Sequence, residues 1–244
     1  MKKITWVLAA LCLAFCHTDA NTVKPKVPKI LVFSKTAGFR HTSIPDGKKA
    51  ILQIAKDNGF LADTTEDASY FTDDSLKHYS AVIFLNTTGD VLNDNQQAAF
   101  ERYIHAGGGY AGVHAASDTE YGWPWYGKLV GAYFTKHPQQ QEAVLHITDN
   151  THISTKHLPA EWKRKDEWYN FKDIVPDMHV LITIDEKSYE GGTNGDNHPM
   201  AWYHSFEGGR AWYTALGHTE VSYTDPNFLK HLEGGIKYAM GRKK

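Results

Sequence analysis

The stretch FERYIHAGGGYAGVHAASD, residues 100–118, decides how the chain folds. Its first six residues carry a helical pattern that stops at three consecutive glycines, 107–109. A short apolar run over 109–113 follows as a strand, and small residues resume at once in Ala115, Ala116 and Ser117. A strand that enters a tight turn directly places His114 at its carboxyl end, where open α/β sheets hold their ligand site. The layout is that of a nucleophile elbow, G-x-S-x-G, with histidine at the nucleophile position and alanine in place of the last glycine. Histidine there reads as a base, an acid or a metal ligand, not as a Ser- or Cys-type nucleophile.

Outward from the elbow, Ile30, Leu31, Val32 and Phe33 form a continuous apolar run, as does AVIFL at 81–85. Both read as strands buried on two faces. Helices are predicted over 47–58 and 93–106, the second capped by Asn93 or Asp94, and a further strand over 61–65. This alternation means a doubly wound, mostly parallel α/β sheet. The loops after three of its strands then bring His41, residues 86–89 and His114 to one edge. A helix is predicted over 123–131. Beyond residue 142 the pattern becomes strand-like at 142–148, 168–171, 179–185, 200–206 and 210–216, with glycine-rich turns at 190–197 and 207–209. These strands are expected to extend the sheet or to add an antiparallel appendage. Asp225 and Pro226 open a closing helix that runs to residue 240.

Residues 1–20 read as an export leader, because Lys2 and Lys3 precede an apolar run at 4–15 that is too short to span a bilayer. Cleavage after Ala20 is expected, or lipid anchoring if 13–16 serves as a lipobox; either predicts a protein outside the cytoplasm. Residues 21–28, with two prolines, read as a linker and 29–241 as the folded domain. Both cysteines, Cys12 and Cys16, fall in the leader, so disulfides, cysteine metal sites and a catalytic thiol are excluded from the domain. A net charge of −2 and a pI near 6.7 give no nucleic-acid footprint. With no Walker loop and no G-x-G-x-x-G, neither a nucleotide nor NAD is expected.

Of fourteen histidines, His78, His105, His146, His152, His157, His179, His204 and His231 fall mid-element or in polar stretches and read as solvated. His41, His114, His137, His198 and His218 sit in loops or at strand ends, where functional residues concentrate. His218 and Glu220 make an H-x-E pair in which the carboxylate could orient the imidazole. Glu167, beside Asp166 and ahead of an aromatic segment, is a candidate general acid, general base or metal ligand; a surface charge is the plainer reading. His41, His114 and His218 with one carboxylate would also suit zinc or another divalent ion with an open position, although no HExxH-type spacing backs it. The seven tryptophans fit a sugar-stacking site and a dense core equally well.

The blocks KTAGFRHTSIP, GGGYAGVHAASD, YGKLVGAYFTKHP, DEWYNF and HPMAWYHSFEGGRAWYTALGHT, in that order, resemble the ThuA-like (trehalose-utilisation) family over residues 30–240. The resemblance implies a flavodoxin-like fold similar to class I glutamine amidotransferases, without the elbow cysteine. His114 at that elbow argues against thioester chemistry. The resemblance further implies disaccharide catabolism, with a glycoside or 3-keto-glycoside cleaved or isomerised by His/Glu acid–base chemistry. On that expectation His114 or Glu167 is the base, and His41 and His218 are its acid partners or ligands of a divalent metal. Phe39, Arg40, Ser117, Asp118, Tyr126, His137, His198 and Trp202 would contact the sugar. A non-catalytic sugar-binding or accessory protein is the alternative.

Overall fold

In the computed structural model, which describes residues 27–242, the elbow stretch supplies the strand β4 (Gly109–Val113) of a nine-stranded sheet. Numbered along the chain, five strands run parallel in the order β2 (Leu61–Thr65), β1 (Lys29–Phe33), β3 (Ala81–Leu85), β4 and β11 (Gly209–Thr214). Four more continue antiparallel from β11: β10 (Pro199–Phe206), β9 (His179–Ile184), β6 (Gln141–Ile147) and β7 (Glu161–Asp166). The expected α/β sheet is present: its first half is parallel, and the C-terminal strands extend it antiparallel. The expected export leader and most of the expected linker lie outside the described residues.

Alternation along the central strands explains the layers. Phe84, Tyr110 and Tyr213 point to one face, where they meet Phe100 of α3 (Asp94–His105), Tyr126 of α4 (Pro124–Val130) and Trp202. Trp212 points to the other, against α5 (Pro226–Ala239), where Gly235 leaves room for its ring. The helix α1 (Ile44–Asp57) packs beside α5. Gly109 is required because a Cβ there would meet the Ala239 carbonyl oxygen at 1.9 Å. A capping box of Asn93 and Gln96 starts α3. A one-turn helix α2 (Asp73–Leu76) and a two-stranded ribbon of β5 (Tyr133–Lys136) and β8 (Asn170–Lys172) complete the set.

The segment EWKRKD forms a strand that composition hides, while the strand expected at 168–171 shortens and moves to the ribbon. By direction, β7 runs the same way as β11, so its carboxyl end lies at the same rim of the sheet. In a flat sheet four strand spacings would separate the two ends by about 19 Å. Asp166, the last residue of β7, instead accepts hydrogen bonds from the backbone N–H of Gly217 (3.1 Å) and His218 (3.2 Å) beyond β11. The antiparallel half therefore curls back over the rim.

Two histidines expected in solvent are buried: His231 between the Ser154 carbonyl and the Thr214 hydroxyl, and His204 against the Leu129 carbonyl. Each is tolerated because it meets a partner that an apolar residue would leave unsatisfied.

Candidate functional site

Four chain segments meet at the carboxyl rim. The loop after β1 is pinned to the exit of β3: Ala37 N–H donates to the Thr88 carbonyl (2.7 Å) and the Thr88 hydroxyl to the Phe39 carbonyl (2.8 Å). Ser43 joins three exits at once, donating to the His218 carbonyl (2.7 Å) and accepting from Asn86 Nδ2 (3.1 Å). At the elbow His114 has φ of 49°, the left-handed region, and opens a single 3₁₀ turn. A non-glycine residue in this region costs of order 1–3 kcal/mol unless its surroundings impose it. Here Tyr213 donates to the His114 carbonyl (2.7 Å), and His114 Nδ1–H to the Ala215 carbonyl (2.7 Å). Gly217, at φ of 109°, makes the bend that turns His218 back toward them.

His41, His114, His218 and Glu167 each offer a ligand atom, and these atoms lie within 4.8 Å of one another. His218 Nδ1 stands 3.1 Å from both Glu167 Oε2 and His114 Nε2, and His114 Nε2 is 3.5 Å from Glu167 Oε2. Glu167 Oε1 faces His137 Nδ1 at 3.2 Å. The three imidazole rings of the cluster sit 4.9–5.0 Å apart, nearly perpendicular to one another. His41 Nδ1 is buried without a hydrogen-bond partner among the described residues.

Burial alone would raise the Glu167 carboxyl, but the His114 and His218 rings beside it outweigh this and hold the group well below the usual carboxylate range. Burial would likewise lower His218, yet its contact with Glu167 raises it. At His41 the pull of Glu167 is outweighed: burial, with the neighbouring imidazoles, lowers it to about 2, so it is neutral and offers a lone pair.

Above this cluster opens a cavity of about 360 Å³ lined by His41, His137, Glu167, His218, Asp118 and the rings of Phe39, Phe134 and Tyr169. The volume is at the small end of ligand pockets. Burial raises the Asp118 carboxyl despite a hydrogen bond from Tyr121. Phe39 is 65% exposed at the mouth. A groove of similar size lies between α1 and α5, lined by Asp46, Lys49 and Leu229 among others, but it has none of these histidines.

Of the residues singled out from sequence, Phe39, His41, Asp118, His137, Glu167 and His218 line the cavity. His114 does not; it is fully buried beneath Glu167 and His218. Arg40 turns outward to a bidentate pair with Glu66. Ser117, Tyr126 and Trp202 lie in the core: Ser117 bonds to Tyr213, Tyr126 donates to the Ala116 carbonyl, and Trp202 Nε1 caps α4 at the Val130 carbonyl. His198 is buried behind the site, donating to the Tyr169 carbonyl with Glu186 at its other nitrogen. Glu220 is exposed and does not orient His218; Glu167 holds that ring. Phe134 and Tyr169 were not singled out. Their signal was their spacing, three residues before His137 and two after Glu167.

The sequence profile of the ThuA family, described as trehalose utilisation, matches residues 29–239. Among solved structures, a ThuA-like protein from Bacteroides uniformis ATCC 8492 superposes with a TM-score of 0.75 at 25% identity, over 90% of this chain and 94% of that one. A ThuA-like protein from Parabacteroides merdae ATCC 43184 gives 0.75 at 22% identity, over 89% and 91%. A β-galactosidase from Bacillus circulans sp. alkalophilus shares the fold over 88% of this chain but 31% of its own, with a TM-score of 0.57 at 13% identity. No curated protein matches by sequence.

Proposed function

This chain belongs to the ThuA family, and from that membership and the cavity we propose that it is an exported enzyme acting on a glycoside or 3-keto-glycoside by His/Glu acid–base chemistry. The observation that carries the reading is one carboxylate, Glu167, set among imidazole nitrogens on the floor of an aromatic-walled cavity. The volume suits one sugar ring, whose apolar faces would stack on Phe134, Tyr169 and Phe39 while Asp118 accepts from a hydroxyl. The expected leader places the reaction outside the cytoplasm.

In a 3-keto-glycoside the carbonyl at C3 acidifies the C2–H bond. A base takes that proton, the C–H electron pair moves through the enolate, and the C1–O bond to the aglycone breaks as an acid protonates the departing oxygen. The products are the free aglycone alcohol and a C1=C2 enone. His137 and Glu167 supply the base. Because a carbonyl cannot donate, the Pro138 oxygen 2.9 Å from His137 Nδ1 requires that this nitrogen carry the proton, shared with Glu167. Nε2 is then the basic nitrogen, backed by a carboxylate as in a triad. His218, a proton donor beside Glu167, supplies the acid. His114 lies beneath the floor and orients these groups without touching the sugar.

The test is a panel of 3-keto-disaccharides and their parent glycosides, with aglycone release and enone absorbance as readouts. Glu167→Gln and His137→Ala should abolish turnover and keep ligand affinity within roughly tenfold, ~1.4 kcal/mol. If the wild-type protein turns over no member of the panel, the catalytic reading fails. Saturable binding without turnover would mean a sugar-binding protein.

A further inference from the structure

We propose that His41, His114, His218 and Glu167 together bind one first-row divalent cation of the zinc type. The inference rests on hydrogen-bond logic within the cluster and does not depend on the sugar reading.

The starting point is the tautomer of His114. Its Nδ1 lies 2.7 Å from the Ala215 carbonyl oxygen, which can only accept, so Nδ1 carries the proton and the neutral ring presents a lone pair from Nε2. That lone pair faces Glu167 Oε2 at 3.5 Å, an acceptor against an acceptor. The single proton on His218 Nδ1 stands 3.1 Å from each of them and cannot serve both fully. His41 adds another ring nitrogen within the 4.8 Å cluster, while its buried Nδ1 has no partner. With neutral imidazoles the site therefore collects more electron pairs than protons, in a place where water is excluded from His114 altogether. Unpaired buried acceptors are costly. A cation at their centre, with the His218 proton moved from Nδ1 to Nε2, would satisfy all four donors together.

Three further features fit. Three imidazoles and a carboxylate are a donor set for borderline divalent metals and a poor one for magnesium or calcium, which take oxygen ligands. The bond from His114 Nδ1–H to a backbone carbonyl is the outer contact that metal-bound histidines use to fix tautomer and ring orientation. The ligands are also held before any ion arrives: His114 by the elbow, the His218 carbonyl by Ser43, and the amides of Glu167 and His218 by Asp166. His41, Glu167 and His218 open onto the cavity, so a ligand oxygen there could complete the coordination. A cation of this class supplies Lewis-acid polarisation of such an oxygen. His137 lies outside the set, since the nitrogen it turns toward Glu167 is Nδ1, whose proton is committed to the Pro138 carbonyl.

The experiment strips the full-length purified protein with chelator, dialyses it against Zn²⁺ and measures bound metal by mass spectrometry, with Co²⁺ visible absorption reporting the donor set. The expected result is one equivalent per chain and a raised Tm on loading. His41→Ala and Glu167→Gln should each lower affinity at least a hundredfold, and His137→Ala should leave it within threefold. Far-UV circular dichroism of each stripped variant identifies any that fails to fold; His218→Asn replaces one that does. Sub-stoichiometric Zn²⁺ on the wild type, or full binding by both ligand variants, would overturn the proposal. Because no sugar is present, metal binding stands or falls separately from turnover of the glycoside panel.

Discussion

Asp166→Asn is the substitution whose cost follows most directly from the structure. Asp166 is fully buried at the end of β7 and accepts from five groups: the backbone N–H of Glu167 (3.0 Å), Gly217 (3.1 Å) and His218 (3.2 Å), the Ser222 hydroxyl (3.4 Å) and Arg164 Nη2 (2.8 Å). Arg164 is nearly as buried, between the faces of Trp162 and Phe228, and its Nε and Nη1 have no hydrogen-bond partner among the described residues. Its nearest other carboxylate, Asp225, is 3.6 Å away and part-exposed. Asparagine keeps the shape but removes the counter-charge of this guanidinium, whose other acceptor is the neutral Ser222 hydroxyl (2.8 Å), and turns an NH₂ toward N–H donors. Leaving one buried partner unpaired costs roughly 3–5 kcal/mol, a large part of the 5–15 kcal/mol that holds a typical domain. Arg164→Met should cost less, because Asp166 would keep its three backbone donors. Urea unfolding followed by circular dichroism, with an unchanged m-value, measures both. A loss under about 1 kcal/mol for Asp166→Asn, or a larger loss for Arg164→Met, would refute the account of how the curled half is clamped to the rim.

Three further outcomes are expected. Burial lowers His231 to about 3 from its ordinary value of 6.5, so between those pH values the unfolded chain binds more protons and stability falls as pH falls. His231→Asn should remove up to roughly 3–5 kcal/mol of that pH dependence, read from urea midpoints between pH 4 and 7; an unchanged slope would contradict it. Phe39→Ala should leave Tm within about 2 °C, since the ring is mostly exposed, yet weaken sugar binding about fivefold if the ring covers ~40 Å² of a sugar face at ~25 cal/mol/Å². Calorimetric titration checks it, and unchanged affinity would remove Phe39 from the site. Tyr126→Phe deletes buried hydrogen bonds to the Ala116 carbonyl and Tyr110; it should cost about 1–3 kcal/mol of stability with KM unchanged, and a raised KM would return Tyr126 to the sugar.

The parallel half of the fold was legible because its strands are unmixed. AVIFL is buried at every position, and a run with no polar interruption has one plausible home, the middle of a sheet covered on both faces. The elbow was legible for a related reason: only small residues can follow a strand that turns within one residue, and Ala115, Ala116 and Ser117 are all buried there. The segment EWKRKD was hidden by its charges. Its inward positions are Trp162, Arg164 and Asp166, and the last two enter the interior as each other's counter-ion. Charge pairing across one strand face looks, in one dimension, like a solvated run.

The same concealment explains the carboxylate of the site. From sequence, Glu220 was the natural partner for His218, two residues away, and Glu167 was as well explained as a surface charge. What decides between them is the curl of the antiparallel half, which no local pattern encodes. Each antiparallel pairing reverses direction, so after four such steps from β11 the strand β7 points again at the rim where His114 and His218 emerge. Asp166 then closes the curl by accepting the amides of Gly217 and His218, and the next residue, Glu167, is delivered into the histidines as a consequence. One contact therefore serves both the fold and the site on this side of the molecule. The contact that seals β7 against the β11 exit also sets the distance between Glu167 and His218, so loosening the clamp should disorder both together.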